Sequence, residues 1–590
     1  MNARKRSAGR LRPVRHGWIA LFGGLLLACQ DGGTPAEQAA ASAADVPDAG
    51  IASDAADVSA VDVAPDTVPD VDLNPDYSVL FAPPEPTIRR LSREQYASTV
   101  RDVLGESLTV PTSLEPDTSV AGYQSLGAAV SAVSARGVEQ YEAAAYNLAA
   151  QVLQSDALRG DLIGCEPDGV YDAACARASL EPVLLRLWRR PATEEEFAGL
   201  LGIWEQASTV LGNFEQGAEY ALAAALQSPH FLFRVELGEP DPETPGALRF
   251  SGWEMASRLS YLLWNTTPDD ELLRAAADGE LVTAAGVLAQ AERMLASPLA
   301  ENGIRALFSE ILQLHLLDRL SKDPTVFTHM SPTLGASARE EILQLVTDLV
   351  LFTDGDYRDV LTTRSTFVNR ELAALYNMRA PSRDTFGLAE WPADAPRSGL
   401  LGQVGFLALA SHPVSSSATL RGKFVRERLL CEIVAAPPAN VDTSIPEPSG
   451  TTPTLRDRVA EHLTDPSCSG CHEVMDPIGL ALENFDGIGR FRATDNGASI
   501  DATGDLDGVP FDGPVSLALA LRDHPRFAPC LVRHVYRYTN GRLETSGERE
   551  LVRELAVAFE RDGFRVRALL LELVTTPGFR TPGAIGGNEP

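Results

Sequence analysis

Cys468-Ser469-Gly470-Cys471-His472, followed by Met475-Asp476-Pro477-Ile478-Gly479 and Leu482-Glu483-Asn484-Phe485-Asp486, is the stretch on which the reading of this chain turns. Two thiols three positions apart with a histidine directly behind them have the spacing of a c-type haem attachment site. Each thiol bonds one vinyl group of the porphyrin, and His472 reaches the iron from one side. Two other readings of the same residues stay open. Cys468 and Cys471 could join Cys431 and Cys530, or His472, around a zinc ion, or they could form a disulfide with each other.

The motif leaves the opposite side of a haem unassigned. Met475 follows His472 by three residues and shares its helical face, whereas a sixth ligand must approach from across the ring. It is also the last methionine in the chain. His412 or His462 is the nearest candidate, with His524 and His534 behind them, and His462 could instead hydrogen-bond the proximal ligand. A filled site suits electron transfer, and an open one suits peroxide or oxygen chemistry.

Outward from the motif, the chain begins with a targeting pattern. Arg4, Lys5, Arg6, Arg10, Arg12 and Arg15 precede a short apolar run from Trp18 to Ala28, and Leu26-Leu27-Ala28-Cys29 has the form of a bacterial lipoprotein cleavage box. The apolar run is too short to span a bilayer, so residues 1–29 read as a signal peptide and Cys29 as the lipidated first residue. This predicts a protein held to the membrane by its N-terminal lipid in the bacterial envelope, on the periplasmic face or the cell surface. Export also bears on the other thiols, because that compartment is oxidising. Seven cysteines are present. With Cys29, Cys468 and Cys471 assigned, four remain. Cys165 and Cys175 flank a polar loop and are expected to pair, which leaves Cys431 with Cys530.

Residues 30–86 carry 12 acidic side chains between Gln30 and Glu85 and no Lys or Arg. Their Ala, Asp and Pro content buries too little apolar surface to order a chain, so they read as a disordered acidic linker. Net charge over all 590 residues is -31, which repels phosphate backbones and argues against nucleic-acid binding.

Helical periodicity dominates from Thr87 onward, and the expected fold is mainly α. Ser92 with Gln95 makes a capping box and Gly105 a stop. A second helix is expected over Val138 to Leu158, and Thr267-Pro268-Asp269-Asp270 reads as a helix start capped by Thr267. Others are expected at Gly303 to Leu320, Ala338 to Phe352, Arg421 to Cys431 with a basic face, and after the Thr545 to Glu548 capping box. One β-hairpin is expected around Ile500 to Val509, with Asp501, Asp505, Asp507 and Asp512 serving turns rather than a calcium loop. The expected divisions are 87–160, 161–240 with the first disulfide, 241–395, and a C-terminal cytochrome c-like helical domain over 396–590 that carries the hairpin.

Leu420-Arg421-Gly422-Lys423-Phe424-Val425, Pro437-Pro438-Ala439-Asn440-Val441, the Cys468 to His472 motif, the Asp476 to Asp486 run and Gly489-Arg490-Phe491-Arg492 together resemble the planctomycete-type cytochrome c multidomain family. Upstream, Leu91 to Leu104, Ser228 to Arg234 and Phe250 to Leu273 are similar to the companion domains of that family. The resemblance implies haem c in a mono-haem protein that transfers electrons or acts as a haem-dependent oxidoreductase on an unknown substrate. The alternative is a non-redox surface binding or scaffold protein whose motif is a disulfide or metal clip. Family members often carry Ile where this chain has Met475-Asp476, which also counts against Met475 as a ligand.

Overall fold

The computed structural model describes residues 82, 85–435, 445–464 and 466–583. The expected signal segment with Cys29, nearly all of the expected acidic linker, and Pro437-Pro438 lie outside them. The fold is mainly α, with five small two-stranded antiparallel sheets among the described residues. No helix of those residues is long and apolar enough to cross a membrane.

Order starts with the strand Thr87–Arg90, which pairs antiparallel with Phe233–Glu236. This ladder is invisible to local pattern, because each strand has four residues and 147 positions separate Arg89 from Glu236. The helix Arg93–Leu104 follows, with the expected capping box at Ser92 and Gln95 and its stop at Gly105. Leu91 to Leu232, joined by Tyr261, build a first hydrophobic core from the helices Ala135–Gln154, Ala173–Trp188, Glu194–Leu211 and Phe214–Gln227. Cys165 and Cys175 are bonded at its edge, with Cα atoms 5.8 Å apart.

A second core runs from Phe250 to Phe579. Residues on both sides of the boundary expected near 396 contribute to it, among them Leu259, Leu307, Ile342, Leu407, Phe485 and Leu531. The disulfide between Cys431 and Cys530 ties two of its elements together.

Several helices differ from the periodic reading for local reasons. The run Val138 to Leu158 is two helices, Ala135–Gln154 and Asp156–Leu162, because Ser155 caps the second by accepting the Leu158 N–H. Asp269, not Thr267, caps Asp270–Ala277, accepting the Leu272 N–H at 2.9 Å, while the Thr267 hydroxyl donates to the Arg186 carbonyl. The helix expected to reach Leu320 ends at Ile311, since Gln313 turns to φ 55 before a 3-10 segment at Leu314–Arg319. The Arg421 to Cys431 region is a short helix, Ala418–Phe424, continued by a π-turn at Val425–Leu429. Its basic face points inward: Arg421, Arg426 and Arg428 are all buried. The hairpin falls at Thr503–Leu506 and Val509–Asp512, joined by Asp507-Gly508 at positive φ, the two-residue turn that matches strand twist.

Candidate functional site

Cys468, Cys471 and His472 lie on one helix, Pro466–Leu480. Positions three and four apart on a helix share a face, so the motif presents both thiols and the imidazole together. All three residues are partly exposed, and neither cysteine belongs to the two disulfides. Val474, three residues after Cys471, is 42% exposed and adds an apolar side chain beside them.

The helix is fixed from below by the crossing helix Ala418–Phe424. A Cβ added at Gly422 would lie 1.9 Å from the Met475 carbonyl oxygen, and one at Gly479 would lie 1.8 Å from that of Ala418. Only hydrogen at these two positions lets the backbones meet. The close approach brings the Thr419 hydroxyl to Oδ1 of Asp476 at 2.9 Å, while Oδ2 lies 2.8 Å from Nδ1 of His472. Asp476 is buried, at 1% exposure, so its carboxylate is held between the hydroxyl and the imidazole. A carboxylate accepting from Nδ1–H sets the neutral ring in the tautomer whose lone pair is on Nε2, the form a metal-binding histidine requires. The residues present fit a haem that Cys468 and Cys471 would bond and His472 would ligate. The i+4 spacing of Asp476 from His472 is the sequence signal of this role.

Met475 is 4% exposed, and its backbone carbonyl faces Gly422 at the crossing. His412 lies in the exposed segment after the helix Val404–Leu409, its carbonyl accepting from Lys322 Nζ at 2.9 Å. His462 is on the helix Leu455–Thr464, and its side chain lies outside what the structure describes. The two reserve histidines are engaged elsewhere. His524 sits 3.0 Å from Asp507 through Nε2, and its Nδ1 accepts the Arg526 N–H. His534 is buried, with Tyr123 at Nδ1 and the Arg428 carbonyl 2.9 Å from Nε2, and burial holds its pKa well below the usual imidazole value.

Cys431 and Cys530 are bonded to each other. The zinc arrangement that joined them to Cys468 and Cys471 is thereby corrected, because paired sulfurs offer no thiolate. The same bond removes the nearby grouping of Cys431, Cys530 and His534 as a thiolate site, although Cys431 Sγ is 3.6 Å from His534 Nε2. Two of the acidic hairpin residues serve turns, Asp505 accepting the Gly508 N–H and Asp501 the Thr503 N–H, while Asp507 pairs with Arg426 at 2.9 Å. Arg426 in turn donates to the Val474 carbonyl, fastening the hairpin to the motif helix.

Sequence reasoning missed Lys322. It is 7% exposed, with an amine that burial brings down to about 7, and it donates to the carbonyls of Ser411 and His412. A single lysine in a loop carries no sequence signal for this.

The chain matches five families in succession, each described as a protein of unknown function: DUF1587 over residues 89–154, DUF1595 over 175–236, DUF1592 over 250–378, DUF1588 over 397–495 and DUF1585 over 507–579. The match over 397–495, to the family abbreviated PSCyt3, spans both the crossing helix and the Cys468 to His472 motif. No curated protein and no solved structure matches the chain.

Proposed function

The chain belongs to the planctomycete cytochrome c-type multidomain families, and on that premise we propose that it is an envelope-anchored mono-haem c-type cytochrome. Cys468 and Cys471 would hold the haem covalently and His472 would ligate its iron, supplying one-electron chemistry to a redox partner or substrate. The observation that carries this reading is the chain Thr419–Asp476–His472, which orients an imidazole on the same helical face as two thiols. Asp476 holds the ring orientation, and the Gly422 and Gly479 crossing holds Asp476. Lipid at Cys29 would tether the mature protein, with the acidic linker separating the membrane from the folded part.

The test is direct. Protein matured in a host that attaches haem c is expected to show a reduced α-band that survives denaturation and organic extraction. Cys468→Ala and Cys471→Ala are expected to lose the covalent haem while keeping their helical circular dichroism. A colourless wild-type protein from such a host sinks the proposal. His412→Ala and His462→Ala, read by their ligand-field spectra, then assign the distal side.

A further inference from the structure

The first and second cores meet along a seam to which three of the family-matched segments each contribute a wall. The helix Arg93–Leu104 supplies Arg101 and Asp102, and the helix Ala173–Trp188 supplies Arg186. The stretch after the helix Gly252–Leu263 supplies Trp264, Thr266 and Thr267. Between them lies a cavity of about 350 Å³, with Glu106 and Leu299, both exposed, at its rim. A volume of that order holds a small organic molecule, and junctions between folded units are preferred places for such sites.

Most polar groups of the wall are spent on holding it. Thr266 donates to Oδ2 of Asp102 at 2.5 Å, and Thr267 donates to the Arg186 carbonyl. The Trp264 indole N–H reaches the Met294 carbonyl at 2.9 Å. Asp269 takes two bonds from Arg293, at 2.8 and 3.0 Å, and attracts Arg186 only from beyond contact distance. Trp264, Thr266 and Thr267 are each 2% exposed, so these bonds are made away from water and fix the shape of the floor. Other groups are left over. Among the described residues, the guanidiniums of Arg101 and Arg186 form no hydrogen bond or ion pair, and neither do the Glu106 carboxylate and Oδ1 of Asp102. Arg101 and Asp102 do not satisfy each other, because adjacent positions on a helix do not face each other. Both arginines are half-buried, so water screens their charge only in part.

The two signs of charge decide the ligand. A plain anion at the guanidiniums would meet the carboxylates of Asp102 and Glu106, and a plain cation at the carboxylates would meet the guanidiniums. A molecule carrying an ammonium and a carboxylate on neighbouring atoms satisfies both sets. We propose that the cavity binds a free α-amino acid, with its carboxylate received by Arg101 and Arg186 and its ammonium by Glu106 and Oδ1 of Asp102. An aliphatic side chain on that amino acid would lie against Leu299 and Trp264. The site shares no residue with the helix Pro466–Leu480 and goes beyond the cytochrome reading.

The experiment titrates the full mature chain with ¹³C-labelled leucine by NMR and calorimetry at neutral pH and constant ionic strength. Isocaproate and isoamylamine, which keep the leucine side chain and one charge each, serve as comparison ligands. One saturable site with Kd below about 1 mM is expected for leucine. Each singly charged analogue is expected to bind about tenfold more weakly or worse, and Arg186→Gln to weaken leucine by about the same factor. Glu106→Gln alters an exposed carboxylate and none of the bonds that hold the wall, so it is expected to weaken leucine several-fold while leaving isocaproate unchanged or tighter. That comparison stands even where Arg186→Gln perturbs folding. No saturable binding of leucine, equal binding of either analogue, or a Glu106→Gln variant that binds leucine like the wild type overturns the assignment. None of these readouts depends on haem, so their failure is separable from failure of the cytochrome reading.

Discussion

Arg421 is a cation that water does not reach, with 0% exposure. It holds together the turn that follows the motif helix, donating to the carbonyls of Leu482, Phe485 and Asp486 at 2.8, 2.9 and 2.7 Å and to the Ser411 hydroxyl at 3.2 Å. Its carboxylate neighbour Glu483, at 3.4 Å, is also bound by Arg492 and Ser416. Replacement by Met fills the volume but leaves three carbonyls without donors and Glu483 short of one cation. Arg421→Met is therefore expected to lower unfolding free energy in urea by roughly 3–5 kcal/mol. Lysine should not rescue it, since a point charge cannot reach carbonyls in several directions at once. Glu341 gives the opposite kind of residue, a carboxyl held neutral. It is fully buried between Thr366 and Tyr376, and burial raises its pKa from an ordinary 4.5 to about 7. Between those values the folded state keeps a proton that the unfolded chain releases. Stability is thus present below pH 4.5 and is lost as pH rises to 7, by roughly 1.4 kcal/mol per unit for one such group. Glu341→Gln is expected to gain on the wild type across that window and to hold a constant lead above it, as measured by urea unfolding at each pH. A difference that stays flat with pH would exclude the buried-acid account.

At the scale of elements, the motif helix and its crossing partner owe their geometry to two glycines whose role is opposite to that of a third. Gly422 and Gly479 each face a backbone carbonyl closer than any Cβ tolerates, and backbone cannot rotate aside. Ala at either is expected to cost about 3 kcal/mol and, by separating Thr419 from Asp476, to disturb the His472 environment. Gly470 lies inside the same helix with open space around it. There Ala should stabilise by about 0.5–1 kcal/mol through backbone entropy alone, leaving the crossing untouched. Thermal melts of the three variants separate the two effects by sign. This pairing also explains how far the sequence could be read. The helix Arg93–Leu104 with its capping box, and the Thr545-capped 3-10 turn that leads into the striped helix Arg549–Arg561, are written locally and were legible. The Thr87–Arg90 ladder, the cap at Asp269 and the inward turn of Arg421, Arg426 and Arg428 depend on distant partners. Charged residues on a short amphipathic stretch look solvated until the carbonyls that bind them are in place. At the candidate site the motif was legible as spacing, whereas the Thr419–Asp476 support depends on a helix crossing more than 50 positions earlier in the chain.

On the scale of the whole molecule, the two disulfides differ mainly in the length of chain they close. Cys165–Cys175 spans 10 positions, a local loop at the edge of the first core, while Cys431–Cys530 spans 99 and encloses the motif helix, the hairpin and the start of the last helices. In the chain-entropy account, a loop near 100 residues restricts the unfolded state by about 4.7 kcal/mol and one near 10 by about 2.7 kcal/mol. The longer bridge also joins parts of the second core whose contacts are already continuous from Phe250 to Phe579, so its loss should loosen the cooperative unit rather than detach a domain. Cys431→Ala with Cys530→Ala is accordingly expected to reduce stability by about 2 kcal/mol more than Cys165→Ala with Cys175→Ala. Because the bridge encloses the motif helix, the effect should also reach the motif: hydrogen exchange across Pro466–Leu480 is expected to quicken in the first double variant and not in the second. Equal stability losses, or unchanged exchange in that helix, would show that packing of the second core alone holds the motif in place.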